Sequence, residues 1–174
     1  AADVPFVISF HGVDVVKFID QEGYKEKLLC SFEAAELVMA RSVSLLQRLL
    51  ELGCPAGKLR LNRTPIPLEN ITFTRRVAPE DGNWRLVQAC RLISKKGIFT
   101  ILEALVELIK RWPKLRYSLA GVGPESEEIQ RAIARHGLKD HVEMLGWLSQ
   151  DELQGVYDKA HIFLHPSELT QEND

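Results

Sequence analysis

The chain has 174 residues, 45% of them hydrophobic and 26% charged, with a formal net charge of −2. That is enough apolar material for a buried core, and the near balance of charge leaves no chain-wide basic footprint for a nucleic-acid partner. No apolar run nears the roughly 20 residues that span a bilayer, no basic-then-apolar leader opens the chain, and the three scattered cysteines make no paired spacing, which excludes a disulfide framework.

Phe6 to Phe10 is a short apolar run of strand type, followed by a His11-Gly12 turn and a helical stretch from Tyr24 to Ala35. Leu37 to Ala40 reads as a second strand. Ser42 is placed to cap a helix in which Val43, Leu45, Leu46, Leu49, Leu50 and Leu52 recur at helical spacing, ended by Gly53 and Pro55. Lys58 to Asn62 is the third strand. From Thr64 to Asn83 the periodicity fades and Pro65, Pro67, Pro79, Asp81 and Gly82 collect, the composition of a linker between domains. The expected division is therefore residues 1–68, a linker over 69–83, and a second domain over 84–174.

Alternation is cleaner in the second half. Strands are predicted over Arg85 to Cys90, Arg116 to Ala120, His141 to Leu145 and His161 to His165. The helices between them run from Phe99 to Arg111, Glu125 to His136 and Gln150 to Lys159. The first carries Ile101, Leu102, Leu105, Leu108 and Ile109 on one face and stops against Pro113, and Ser149 with Glu152 has capping-box spacing. Strands alternating with helices predict an α/β protein with doubly wound parallel sheets. Ala1-Ala2 leading straight into a strand, and a polar tail from Ser167 to Asp174, read as the cut ends of a longer chain.

In such sheets ligands bind beyond the carboxyl ends of the strands. Arg91 follows the first strand of the second half, with Lys95, Lys96 and Gly97 leading into a helix whose free N–H groups and positive dipole end suit an anion. Two cations beside a helix start form a diphosphate-shaped arrangement, and fixed cations would stabilise a departing diphosphate without a metal ion. The plain alternative is that Lys95 and Lys96 are solvated charges at a helix start. Gly121-Val122-Gly123-Pro124 follows the next strand, but Ser126 stands where a dinucleotide fingerprint needs a third glycine, so a nicotinamide cofactor is disfavoured. Here a tight turn explains the glycines as well as a ligand does. His11 and His165 each end a strand and are candidates by position, His165 with Pro166 and Ser167 beside it. No acidic residue joins the histidines at metal-binding spacing, and no serine lies in a nucleophile elbow.

In order and spacing, FHGVD, ARSVSLLQRLLELGCPAGKLRLNRTPIPL, CRLISKKGIFTILEAL, YSLAGVGPE, VEMLGWLSQDEL and AHIFLHPSE resemble glycosyltransferase family 4, in its exopolysaccharide and colanic-acid branch. The resemblance implies a GT-B enzyme, retaining and metal-independent, with two Rossmann-like domains, both incomplete in this chain. The first would be the later part of an acceptor-side domain, the second most of a nucleotide-sugar domain. It implies that Arg91 and Lys96 hold the donor diphosphate, with Gly97 at the adjoining helix start, and that His11 assists at the transferred sugar across a cleft. It further implies that Gly121 and Gly123 face the nucleotide, Trp147 and Leu148 lie by the base, and His165 and Ser167 precede the last donor-binding element. That element, a pair of glutamates seven residues apart, has no clear copy: Glu168 and Glu172 lack the glycine that should follow.

The implied reaction moves a hexosyl group from a UDP- or GDP-sugar to a glycan or lipid-linked saccharide, in the cytoplasm or at the inner face of the membrane, with no cofactor beyond the donor. Two other readings stay open: a nucleotide-sugar-binding module without turnover, and a nucleotide-sugar epimerase of related design.

Overall fold

A computed structural model of the chain describes residues 4–16, 18–66, 69 and 71–168. The positions weighed above at Pro67 and Glu172, and most of the polar tail, lie outside them. The chain divides into two compact units, Ala1–Thr72 and Phe73–Thr170.

The first unit is a three-stranded parallel sheet in the order β1-β2-β3, formed by β1 (Val7–Phe10), β2 (Leu37–Ala40) and β3 (Leu59–Leu61). After β1 comes a single turn of helix, α1 (Val13–Val16), which has too few residues to show a period and is absent from the sequence reading. Helices α2 (Tyr24–Ala34) and α3 (Val43–Glu51) follow. The Ser42 side chain accepts from the Leu45 N–H at 3.1 Å and caps α3, as its position in the sequence predicts. At the other end of α2, the Lys58 ammonium donates to the carbonyls of Phe32 (3.2 Å) and Glu33 (2.6 Å), the favourable place for a cation on a helix. Lys58 therefore belongs to a 3-10 turn, Ala56–Lys58, and not to the strand. Phe10, Phe32, Val38 and Leu49 form the core, with the Phe10 and Phe32 rings edge to face at 5.8 Å.

The second unit is a four-stranded, wholly parallel sheet of β4 (Arg85–Ala89), β5 (Arg116–Ala120), β6 (Val142–Gly146) and β7 (Ile162–Phe163), in the order β6-β5-β4-β7. Helices α4 (Ile98–Arg111), α5 (Ser126–Arg135) and α6 (Gln150–Lys159) connect them. Two steps run one way from β4 to β6; α6 then returns past β4 to β7. Right-handed crossovers put that return on the opposite face, so the sheet is doubly wound and its direction reverses between β4 and β7. Ile98, Ile101, Leu102 and Leu105 of α4 pack with Ile129 and Ile133 of α5 on Tyr117 and Leu119 of β5. Each such apolar side chain contributes about 1.5–3 kcal/mol on burial. The Ser149–Glu152 capping box is formed in both directions. β7 is shorter than its apolar run because pairing with β4 extends only over Leu86↔Ile162 and Val87↔Phe163. Among the described residues no helix is long and apolar enough to cross a membrane.

One irregularity matters for the site. Leu119 pairs with Met144, but Ala120 pairs with Gly146, so β6 carries one unmatched residue, Leu145, at its carboxyl end.

Candidate functional site

At the carboxyl ends of β4, β5 and β6 the chain leaves a groove of about 550 Å³, lined among others by Cys90, Arg91, Gly121, Gly123, Trp147 and Leu148. The turns around it continue the ladder beyond the strands. Cys90 donates its N–H to Ala120 at 3.0 Å, Leu92 donates to Val122 at 3.0 Å, and Gly121 donates to Gly146 at 2.6 Å. This backbone-on-backbone contact explains both glycines: a Cβ would lie 1.8 Å from the Cys90 carbonyl oxygen at Gly121 and 2.2 Å from that of Leu92 at Gly123. Gly121 also sits at φ +136°, where other residues are strained. The two glycines let the turn after β5 lie against the turn after β4, and so set the floor of the groove.

Arg91 is exposed on this rim and makes no ion pair with a carboxylate among the described residues. Lys96 does not line the groove, but its charge is felt there: burial pushes the Cys90 thiol up, and the Lys96 ammonium partly opposes that. Lys96 ends a 3-10 turn, Ser94–Lys96, in the stretch where the sequence predicts only a lead-in to the helix. The turn is fastened at each residue. Glu125 Oε1 accepts from both the Ser94 N–H (2.7 Å) and the Ser94 hydroxyl, the Lys95 carbonyl accepts from the Glu168 N–H at 2.9 Å, and the Lys96 carbonyl accepts from Gln88 Nε2 at 2.8 Å. Glu125 and Glu168 close two of the motifs quoted above without this role being visible there, and Gln88 lies in none of them; a glutamine in the middle of an otherwise apolar strand is the available signal for Gln88.

The start of α4 is not the open anion site that the sequence predicts. Glu168 brings its own carboxylate there and accepts the Thr100 hydroxyl, and the Pro166 carbonyl oxygen lies where a Cβ on Gly97 would be, 2.0 Å away. Gly97, at φ +62°, is thus explained by crowding from the loop after β7. His165 and Ser167 belong to that loop: the His165 ring stacks on Phe163, and its Nε2 lies 3.2 Å from the Ser167 hydroxyl. Neither lines the groove, nor does Gly97.

The structure thus gathers Arg91, Gly121, Gly123, Trp147 and Leu148 around one cavity, keeps Lys96 out of its lining but near enough for its charge to act on the Cys90 thiol, and sets Gly97, His165 and Ser167 at the adjoining start of α4. Trp147 is 72% exposed, a large apolar surface left open at the groove. His11 is in the first unit, exposed just after β1, where its N–H donates to Asp14 Oδ2 at 3.0 Å. A further cavity of about 450 Å³, lined by Arg76, Tyr157, Phe163 and their neighbours, contains none of the predicted residues.

Known proteins give this geometry its context. The chain is 30% identical over 168 residues to AmsK, the amylovoran biosynthesis glycosyltransferase of Erwinia amylovora, a match covering 97% of this chain and 41% of AmsK. It is 27% identical over 165 residues to WcaL of Escherichia coli, named for colanic acid biosynthesis, covering 95% of this chain and 40% of WcaL. The chain therefore spans about two fifths of the length of these relatives. Among solved structures, HepE of Anabaena in complex with UDP and glucose superposes with a TM-score of 0.71 at 18% identity, over 94% of this chain and 46% of that one, and shares its fold. The profile of the glycosyl transferases group 1 family matches residues 70–173, which includes the whole groove. This chain belongs to the glycosyl transferases group 1 family.

Proposed function

We propose that the chain is part of a retaining, metal-independent glycosyltransferase of family 4 that transfers a hexosyl group from a UDP- or GDP-sugar to a glycan or lipid-linked saccharide in polysaccharide biosynthesis. The observation that carries this reading is the groove at the ends of β4, β5 and β6, which joins a guanidinium without a carboxylate partner among the described residues, close-packed glycine turns and an exposed indole. The relatives named for amylovoran and colanic acid biosynthesis support the polysaccharide assignment. HepE, solved with UDP and glucose, supports the donor class.

In this reading the base lies by Trp147 and Leu148, the nucleotide passes over Gly121 and Gly123, and the diphosphate meets Arg91 and Lys96. As the glycosidic bond breaks, the leaving diphosphate gains negative charge, and cations already held in place stabilise it without reorganising. The protein's cations do this work, and no cofactor joins the donor. His11 orients groups at the reacting sugar, and His165 and Ser167 border the donor from the loop after β7. The enzyme works in the cytoplasm, meeting a lipid-linked acceptor at the inner face of the membrane.

Isothermal titration of UDP and GDP into the chain tests the donor site. Arg91→Ala is expected to weaken binding at least about tenfold, the effect of losing a charge-assisted hydrogen bond to phosphate. Near-normal affinity in both Arg91→Ala and Lys96→Ala would remove the phosphate assignment. Product analysis decides the reaction: a conjugate supports transfer, an isomerised nucleotide sugar an epimerase, and binding without turnover a recognition module.

A further inference from the structure

The core of the second unit contains a polar pair that apolar packing does not call for. Gln88 on β4 and Tyr117 on β5 are both fully buried, amid Leu86, Leu102, Leu105 and Leu119. The Tyr117 hydroxyl donates to Gln88 Oε1 at 2.6 Å, and Gln88 Nε2 donates to the Lys96 carbonyl at 2.8 Å. The polarity of this chain is forced from its outer end. A backbone carbonyl only accepts, so the amide nitrogen must face Lys96, which leaves the amide oxygen for the phenol to donate to. Burial pushes the Tyr117 phenol far up, so it keeps its proton and stays a donor. Buried polar groups demand partners, and here the one bond leading out of the pair ends on the residue before Gly97, at the close of the Ser94–Lys96 turn.

We infer that Gln88, backed by Tyr117, is a positioning residue for Lys96: it fixes the peptide plane from which the ammonium reaches toward the groove, and so sets the affinity for the diphosphate of a nucleotide-sugar donor. This rests on the donor reading given above. Glu125 and Glu168 hold the other two residues of the turn; at its last residue the backbone bonds from the Lys96 N–H to Ile93 and from the Gly97 N–H to Ser94, both 3.0 Å, close the turn, and Gln88 adds the side-chain bond on the Lys96 carbonyl. Loss of that bond frees the Lys96 carbonyl while leaving the ammonium itself intact.

The test is a double-mutant cycle read by isothermal titration with UDP and with GDP, on Gln88→Met, Lys96→Ala and the two combined, beside their melting temperatures. Methionine preserves the volume and removes the donor. The expected result is about tenfold weaker nucleotide binding in Gln88→Met, and no further loss when it is added to Lys96→Ala. An unchanged affinity in a folded Gln88→Met protein, or an equal loss with and without Lys96, overturns the inference. If Lys96→Ala alone binds both nucleotides normally, the donor reading of Lys96 fails first and carries this proposal with it. Should Gln88→Met not fold, Tyr117→Phe replaces it: a loss of about threefold that disappears in the Lys96→Ala background is expected, and a loss that persists there overturns the proposal.

Discussion

The turns at the strand ends of the two units are built in opposite ways. In the first unit, Gly12 after β1 has φ +123°, yet a Cβ there would meet nothing within 4 Å, and the turn is held by one Asp14 carboxylate and a single turn of helix. In the second, Gly121 and Gly123 are pressed against the backbone of the preceding turn, and the segment bearing Lys96 is fastened at every residue. Both turns place a candidate for chemistry beyond a strand end, but only one of them is a frame that cannot give. The difference fits the two tasks proposed above. Stabilising a leaving group by electrostatics requires charges in position before the charge develops, whereas a histidine that only orients a sugar tolerates an exposed, lightly held turn.

That comparison can be broken by substitution. The largest expected effect is from Gly121→Ala or Gly123→Ala, which drive a methyl group into backbone and should lower stability by roughly 3 kcal/mol or more. Gly12→Ala should lose only about 1 kcal/mol from its left-handed backbone. Urea unfolding of the three variants measures this, and equal losses would mean that the two turns are alike after all. Next comes Glu125→Ala, which strips the Ser94 N–H and hydroxyl of their acceptor and is expected to lose about 1–3 kcal/mol. Its counterpart Asp14→Ala breaks an exposed hydrogen bond worth about 0.5–1.5 kcal/mol. A larger loss for Asp14→Ala would reverse the assignment of rigidity.

The smallest effect sharpens the position of Lys96. Burial holds the Cys90 thiol above its usual range and Lys96 draws it back, so Lys96→Ala should raise it further and slow alkylation of Cys90 at mildly alkaline pH, with exposed Cys30 of the first unit as internal control. Unchanged Cys90 reactivity would mean that the Lys96 charge does not reach the thiol.

Much of this fold was legible because period and punctuation are local. The strand Arg116–Ala120 and the helix Gln150–Lys159 run between the residues predicted, and the capping signal at Ser149 is an interaction between residues three apart. The short elements were not. Four residues at Val13–Val16 and three at Ser94–Lys96 are below the length at which a period can be seen. Within the site, Arg91 and the two glycines were visible as strand-end residues, but not why glycine is needed, since turn chemistry and backbone crowding call for the same residue. The contacts that organise the Lys96 turn join residues 8, 29 and 31 apart in sequence, and no local pattern records them. The start of α4 was misread for the same reason: its occupant, Glu168, arrives from the far side of three further strands.

The unmatched Leu145 on β6 has an effect on how this rim can change. One extra residue resets the in-out parity of everything that follows, so the segment beyond Gly146 is addressed separately from the ladder behind it. Trp147 and Leu148 can then be exchanged without altering any paired position of β4, β5 or β6, whereas removing the odd residue would turn the indole to the other side of the sheet. The rim is a module with its own register, and in the donor reading proposed above ligand preference can drift there while the sheet beneath stays constant.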